Sequence, residues 1–325
     1  MHPVISLDSL EWQGSELKRP ECVLANRAGS LVCSHWPGGV SVISPQGATR
    51  TTEGQITPDR EARPNGIAAM PDGRFLFADL GADSGGVYVL DRAGRISPWL
   101  QKVDGVDLPP TNFPLIDRWG RTWITVSTRV TPRADDYRSG ASSGFVVLVD
   151  AKGARIVADG LGYANECALS ADGIHLFVNE TFGRRLTRFT VTPSGELINR
   201  VTVCTFGTGT FPDGLAFDAE DHLWVTSIVS NRVIRVAPSG AQTLMLEDAS
   251  TEHINWVEDA FQSGAMGRPH LDKCAGRVLK NISSLAFGGP DMRTAYLGCL
   301  QGDRIARFRS PVAGATTSHT EFLWH

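Results

Sequence analysis

The sequence has no apolar run long enough to cross a bilayer as a helix, so no membrane span is expected. Its first residues, Met1-His-Pro-Val-Ile-Ser-Leu-Asp8, carry no basic stretch followed by an apolar core, and no signal peptide is expected. Cys22, Cys33, Cys167, Cys204, Cys274 and Cys299 form no C-x-x-C and no paired spacing. They read as small buried hydrophobes in a reducing compartment, which makes the cytoplasm the expected location. Charge excess is missing too. The net charge is -4 and the arginines are scattered, so nothing favours nucleic acid or an anionic membrane as a partner. There is no Gly-rich phosphate loop, and the G-x-S-x-G string Gly140-Ala-Ser-Ser-Gly144 sits in a polar loop and not at a strand-to-helix elbow, which leaves phosphate-cradling and serine-triad chemistry without support.

What the sequence does contain is a repeat. The clearest copy is Phe211-Pro-Asp-Gly-Leu-Ala-Phe-Asp-Ala-Glu-Asp-His-Leu-Trp-Val-Thr-Ser227. It has an acid beside a glycine, an apolar run, an acidic turn and a second apolar run, the pattern of a β-hairpin with a carboxylate at its entrance. Similar hairpins begin at Glu21, Asn65, Asn112 and Asn165. With these aligned on Asp213, the turn residues Gly29, Gly73, Gly120, Gly173 and Asp221 each fall eight positions later. A sixth copy starts at Ser283 with a slightly longer turn.

The aligned positions lie 44 residues apart from Glu21 to Asn65, 47 to Asn112, 53 to Asn165, 48 to Asp213 and 70 to Ser283. Four-stranded propeller blades recur every ~40–50 residues. A third strand and another turn follow most hairpins, as in Gly86–Gly94, Phe145–Gly153, Leu186–Gly195 and Arg232–Gly240, and a fourth strand follows, such as Ala241–Met245. The spacing predicts an all-β, six-bladed β-propeller occupying residues 1–325 as a single domain. Gln13–Arg19 is the expected strand that closes the last blade. Two segments interrupt the rhythm. Thr128–Gly144 is a polar loop inside the third blade. Glu247–Lys280 separates the fifth and sixth inner strands and carries a predicted short helix over Thr251–Phe261, with Ile254, Val257, Ala260 and Phe261 on one face. It is either a plug on the rim or a lid over the site.

In a propeller the innermost strands line a central channel, so residues opening each inner strand meet at one mouth. The aligned set is Glu21, Asn65, Asn112, Asn165, Asp213 and Ser283: carboxylates, amides and a hydroxyl, with no His or Cys. All-oxygen donors suit a hard cation, Ca2+ above all, with Mn2+, Mg2+ or Zn2+ as alternatives. Two acids confined near the axis would repel without a cation between them. Asn65, followed by Gly66, reads more readily as turn chemistry than as a ligand. Asn112 and Asn165 have no turn pair after them, and Glu21 has no local role. His175, His222 and His253 read as surface or internally satisfied residues.

These residues match a known family. The chain resembles the SMP-30/gluconolactonase/luciferin-regenerating-enzyme-like family of six-bladed propellers, from Glu21 to about Phe308. The most specific pieces are Arg63-Pro-Asn-Gly-Ile-Ala68, Asn165 with its Ala-Leu-Ser-Ala-Asp-Gly turn, Phe211-Pro-Asp-Gly-Leu-Ala216, and Ala286-Phe-Gly-Gly-Pro-Asp-Met-Arg-Thr-Ala-Tyr296. The resemblance implies that Glu21, Asn165 and Asp213 bind a divalent cation, usually calcium. It places Asn112 beside the metal or substrate, and makes Asp213 the general base in hydrolysis of a lactone. The sequence departs from the family at Glu166, where members often have glycine. It departs again at Pro110 and Phe113, where sugar lactonases often have arginine and aspartate. A more apolar pocket is therefore expected.

The reaction expected is metal-assisted opening of a lactone or related cyclic ester by water. Asp213 and Asn112 would be catalytic, and Asn112, Arg129, Tyr137, Trp256 and Glu166 would contact substrate. The alternatives are organophosphate or ester hydrolysis, a non-hydrolytic biosynthetic step, or a non-catalytic ligand-binding propeller. A small molecule is the expected partner. A monomer or weak homo-oligomer is expected.

Overall fold

The turn residues of the repeat set the hairpins. In the computed structural model, which describes residues 4–324, Gly29, Gly73, Gly120 and Gly173 all adopt left-handed backbone, with φ of 77° to 82°. Asp221 takes the same place in the fifth copy at φ 59°, a conformation aspartate tolerates better than most residues.

Six four-stranded antiparallel sheets follow. Their first strands are Val23–Ala25, Pro64–Ala69, Phe113–Ile116, Ala164–Leu169, Thr210–Phe217 and Ile282–Gly288, and each packs against its neighbours around a closed ring. The molecule is a six-bladed β-propeller. The ring is closed by Glu11–Gln13, which pairs with Ile305–Arg309 in the register Glu11↔Arg307 and Gln13↔Ile305. The closing strand thus lies earlier than Gln13–Arg19. Gly14, at φ 77°, ends it, and the following residues carry the chain toward Glu21 at the channel mouth.

The first and second strands of each blade are largely buried, whereas the fourth alternates or is exposed, as in Leu197–Thr205. Two blades share a device that the repeat pattern does not announce. Asp117 accepts from Trp123 Nε1 at 3.1 Å and Arg121 Nε at 2.7 Å; Asp218 accepts from Trp224 Nε1 at 2.9 Å and Arg235 Nε at 2.7 Å. Each buried carboxylate fixes a fully buried tryptophan between blades. All six cysteines are free; four are buried and two half-buried.

The predicted helix is present over Thr251–Gln262, with Ser250 as N-cap accepting from the His253 amide. Its buried Val257 and Phe261 pack on Phe182, Phe211 and Val229 over the channel mouth that carries the aligned residues. At the opposite mouth the C-terminal segment crosses the inner hairpins. Ala315 N donates to Phe217 O at 3.0 Å, Ser318 Oγ to Ile116 O at 2.9 Å, and Asn26 Nδ2 to Phe322 O at 2.8 Å. Between the two mouths lies a cavity of about 310 Å³, lined by Leu24, Ile67, Leu115, Leu169 and Phe217.

Candidate active site

Four of the six inner strands are bulged at the aligned residue, whereas Glu21 and Asn112 lie just ahead of regularly paired strands. Regular pairing is interrupted between Pro64 and Ile67, Ala164 and Cys167, Pro212 and Leu215, and Ile282 and Ser284. These gaps contain Asn65, Asn165, Asp213 and Ser283. A bulge leaves a residue out of the ladder and re-aims its side chain. Here it brings side chains from successive blades to one point on the channel.

The six residues divide into two roles. Asn112 Nδ2 donates to Ser127 Oγ at 3.0 Å, and Asn165 Nδ2 donates to Thr181 Oγ1 at 3.0 Å. With their nitrogens held, the Oδ1 atoms of both amides are buried without a partner, and so is Asp213 Oδ1. Buried polar atoms are normally hydrogen-bonded. Three orphaned oxygens from three consecutive blades could serve as ligands to a cation. Ser283 instead spends its hydroxyl on the Glu21 carbonyl at 2.7 Å. Asn65 donates to the Asn112 carbonyl at 3.2 Å and bonds the Glu21 carboxyl. It lies within a strand and braces the site, so turn chemistry does not explain it.

The electrostatics agree. Burial raises the Glu21 carboxyl to about 7, although Arg19, Arg133 and the Asn65 hydrogen bond oppose the shift. Burial, then Glu21 and Glu166, push Asp213 well above the usual carboxylate range. Glu166 is raised to about 8 by burial and by Glu21. Crowded acids of this kind are relieved by a cation. Among the described residues no three His, Cys, Asp or Glu side chains gather into a ligand set, so any cation here would draw on amide oxygens as well as carboxylates. A set without nitrogen or sulfur fits Ca2+ better than Zn2+.

The structure brings Glu21, Asn112, Asn165 and Asp213 together. Tyr137 lies at the same mouth, stacked on Phe182 with centroids 4.7 Å apart. Three expected substrate contacts lie elsewhere. Arg129 reaches outward to Asp159 with bonds of 2.8 and 3.0 Å and lies over the Phe145 ring, so it ties the loop to the blade's outer strand. Trp256 is 38% exposed, off the buried face of its helix, and stacks on His270. Glu166 faces down the channel, accepts from Leu215 N at 2.9 Å and lines the central cavity. The mouth is also less apolar than expected, because Arg19 and Arg133 stand in it beside Tyr137, Tyr163 and Phe182.

Sequence reasoning missed Arg133, Tyr163, Ser127 and Thr181. The two hydroxyls carried a usable signal. Ser34, Ser127, Thr181 and Ser227 close the second strand region of four blades. Ser34 and Ser227 receive backbone N–H groups from Cys22 and Phe211, beside or near the ligand positions.

A family model for the SMP-30/gluconolactonase/LRE-like region matches residues 20–250. The chain is 28% identical over 225 residues to a 6-deoxy-6-sulfogluconolactonase from Pseudomonas putida, covering 68% of this chain and 65% of that protein. The match thus spans less than two thirds of that relative's length. Among solved structures, a gluconolactonase from Xanthomonas campestris aligns at 18% identity and a TM-score of 0.67, covering 94% and 89% of the two chains. A calcium-binding regucalcin from Agrobacterium tumefaciens aligns at 16% and 0.66, covering 94% of each. At these identities the structures share the fold. The family match covers well over half of the chain, and it includes the hairpins that carry Glu21, Asn112, Asn165 and Asp213: the chain belongs to the SMP-30/gluconolactonase/LRE-like family.

Proposed function

We propose that this protein is a divalent-cation-dependent hydrolase that opens a lactone or related cyclic ester. The observation that carries the reading is the convergence of three unpartnered buried oxygens, on Asn112, Asn165 and Asp213, beside the Glu21 carboxyl. Glu21, Asn165 and Asp213 would hold the ion, and Ca2+ suits them best. When bound, the cation supplies Lewis acidity toward the lactone carbonyl and its developing oxyanion. Asp213 accepts the proton of the attacking water, a role suited to a buried carboxylate with an unshared oxygen. Asn112 positions the substrate, fixed by Ser127 so that its oxygen cannot rotate away. The aromatic ring of Tyr137, Tyr163 and Phe182, under the helix Thr251–Gln262, keeps bulk water from the mouth. The related sulfogluconolactonase and gluconolactonase support a lactone as the substrate class.

The test is hydrolysis of sugar and apolar lactones by chelator-treated protein, alone and with Ca2+, Mn2+ or Mg2+ added. Turnover restored by metal supports the reading. Tight metal binding with no turnover of any lactone or ester would overturn it in favour of a non-hydrolytic role.

A further inference from the structure

With a divalent ion bound, Arg19 and Arg133 would give the mouth more positive charge than Glu21, Asp213 and Glu166 can balance. Arg133 opens a short 3-10 turn, Arg133–Asp136, in the third-blade loop. Its Nε donates to Tyr163 Oη at 2.7 Å and its Nη2 lies 3.5 Å from Ser127 Oγ, the same hydroxyl that holds Asn112. Its Nη1 is buried with no partner. Arg19, two residues before Glu21, lies over the Trp36 ring at 4.5 Å, and its Nε is likewise buried and unpartnered. Among the described residues neither guanidinium makes an ion pair, whereas Arg129, Arg138 and Arg184 nearby all do.

Both arginines depend on unusual backbone. Arg19 sits at φ 50° and Tyr163, the partner of Arg133, at φ 72°. Left-handed backbone at such residues is strained and persists where the surroundings enforce it, often at functional sites. The loop that delivers Arg133 is rigid as well. Asp136, fully buried, accepts from Thr128 Oγ1 at 2.6 Å and from Arg138 Nε at 3.2 Å. Two unpaired cations are thus held close to a centre that would also take a divalent ion. Like charges held this close repel, and buried charges are normally paired. An anion in the mouth would offset the excess.

We infer that the substrate carries an anionic group besides its lactone ring, a carboxylate, sulfonate or phosphate ester, and that Arg133 and Arg19 recognise it. This rests on the lactone reading for the reaction, and deepens it by naming a substrate class. The guanidinium fork matches the planar or tripodal oxygens of such groups. Arg133 is then a specificity-determining residue, and Tyr163 positions it through their hydrogen bond.

The experiment compares six-carbon lactones that differ only at the terminal carbon: hydroxymethyl, carboxylate, sulfonate and phosphate ester. Each is assayed with Ca2+-loaded protein at low and high salt. The expected result is a kcat/KM for at least one anionic form about tenfold or more above the neutral one, reduced by salt. In Arg133→Gln the anionic-to-neutral ratio should collapse by about tenfold or more, mainly through KM, and Arg133→Lys should keep part of it. An unchanged ratio in Arg133→Gln, or a wild-type preference for the neutral lactone, overturns the proposal. If Arg133→Gln does not fold, Arg19→Gln takes its place with the same expectation. A second readout needs no turnover: sulfate or succinate should raise the melting temperature of wild-type protein and not of the Arg133→Gln or Arg19→Gln variant. If no lactone is hydrolysed, the proposed reaction fails while that stabilisation still supports the anion site. Absence of both sinks the anion site too.

Discussion

Asn165 is tied to the fifth blade through Thr181. Its Nδ2 donates to Thr181 Oγ1 at 3.0 Å, and the Thr181 hydroxyl donates to the Pro212 carbonyl at 2.8 Å, one residue before Asp213. One hydroxyl thus fixes two proposed ligands from adjacent blades. Thr181→Val keeps the shape and deletes the relay. Such supporting contacts are worth about 10–100-fold in metal affinity. We expect calorimetric Ca2+ affinity to fall within that range while the β-sheet circular dichroism is retained. Wild-type affinity in the variant would remove Asn165 from the ligand set or show that its orientation is set elsewhere.

Asp213 and Glu21 separate base from ligand. Asp213→Asn keeps an oxygen donor and loses the proton acceptor. It should bind Ca2+ more weakly yet measurably, and lower kcat by about 100-fold or more, the range for a general base. Glu21→Gln should weaken Ca2+ binding with a milder effect on kcat once metal is saturating. Undiminished turnover in Asp213→Asn would take the base role from it, and wild-type metal affinity in Glu21→Gln would take Glu21 out of the coordination.

Gly66 is set by a neighbouring blade. A methyl group built on it would lie 2.5 Å from Phe113 Cδ2 and 2.9 Å from the Asn112 carbonyl oxygen. Its amide donates to that carbonyl at 2.9 Å. Gly66→Ala should therefore push Asn112 aside, destabilise the protein by about 1–3 kcal/mol, and reduce Ca2+ affinity. Urea unfolding and calorimetry check both. A midpoint unchanged from wild type would show that the blades yield at no cost.

That glycine shows where sequence reasoning stopped. The Asn65-Gly66 pair resembles a turn, and local chemistry alone favours that reading. The glycine is required by contact with a strand 47 residues away, which no local rule detects. The blades themselves were legible because hairpin, turn residue and strand recur at fixed offsets. The proposed ligands could be picked out because the recurrence placed oxygen-bearing residues at one register. Arg133 and Tyr163 were not, because they come from a loop and a strand edge outside the repeat. Arg129 and Trp256 face away from the mouth for the same reason: loop residues near the mouth in sequence have no fixed direction until the loop is packed. Here Asp136 turns the loop so that Arg133 faces in and Arg129 faces Asp159.

The crowded carboxyls give the metal-free protein an unusual response to pH. Glu21 is held at about 7 and Glu166 at about 8, against an ordinary value of 4.5, chiefly by burial. The folded state therefore keeps protons that the unfolded chain releases above about pH 4.5. Raising the pH from there lowers stability, and the share of the loss due to Glu21 and Glu166 levels off above about pH 8, where these two are ionised in both states, while Asp213, also raised by burial, adds in the same sense. Calcium acts in the opposite sense, because it binds the ionised carboxyls and displaces their protons. Its affinity should weaken below about pH 7, by roughly tenfold per pH unit for each proton displaced. Thermal unfolding between about pH 5 and 8, in chelator and in saturating Ca2+, should show the melting temperature falling with pH in chelator. The gap between the two conditions should widen as the pH rises. A gap constant across this range would mean that Ca2+ displaces no proton from Glu21 or Asp213, and the proposed coordination would be wrong.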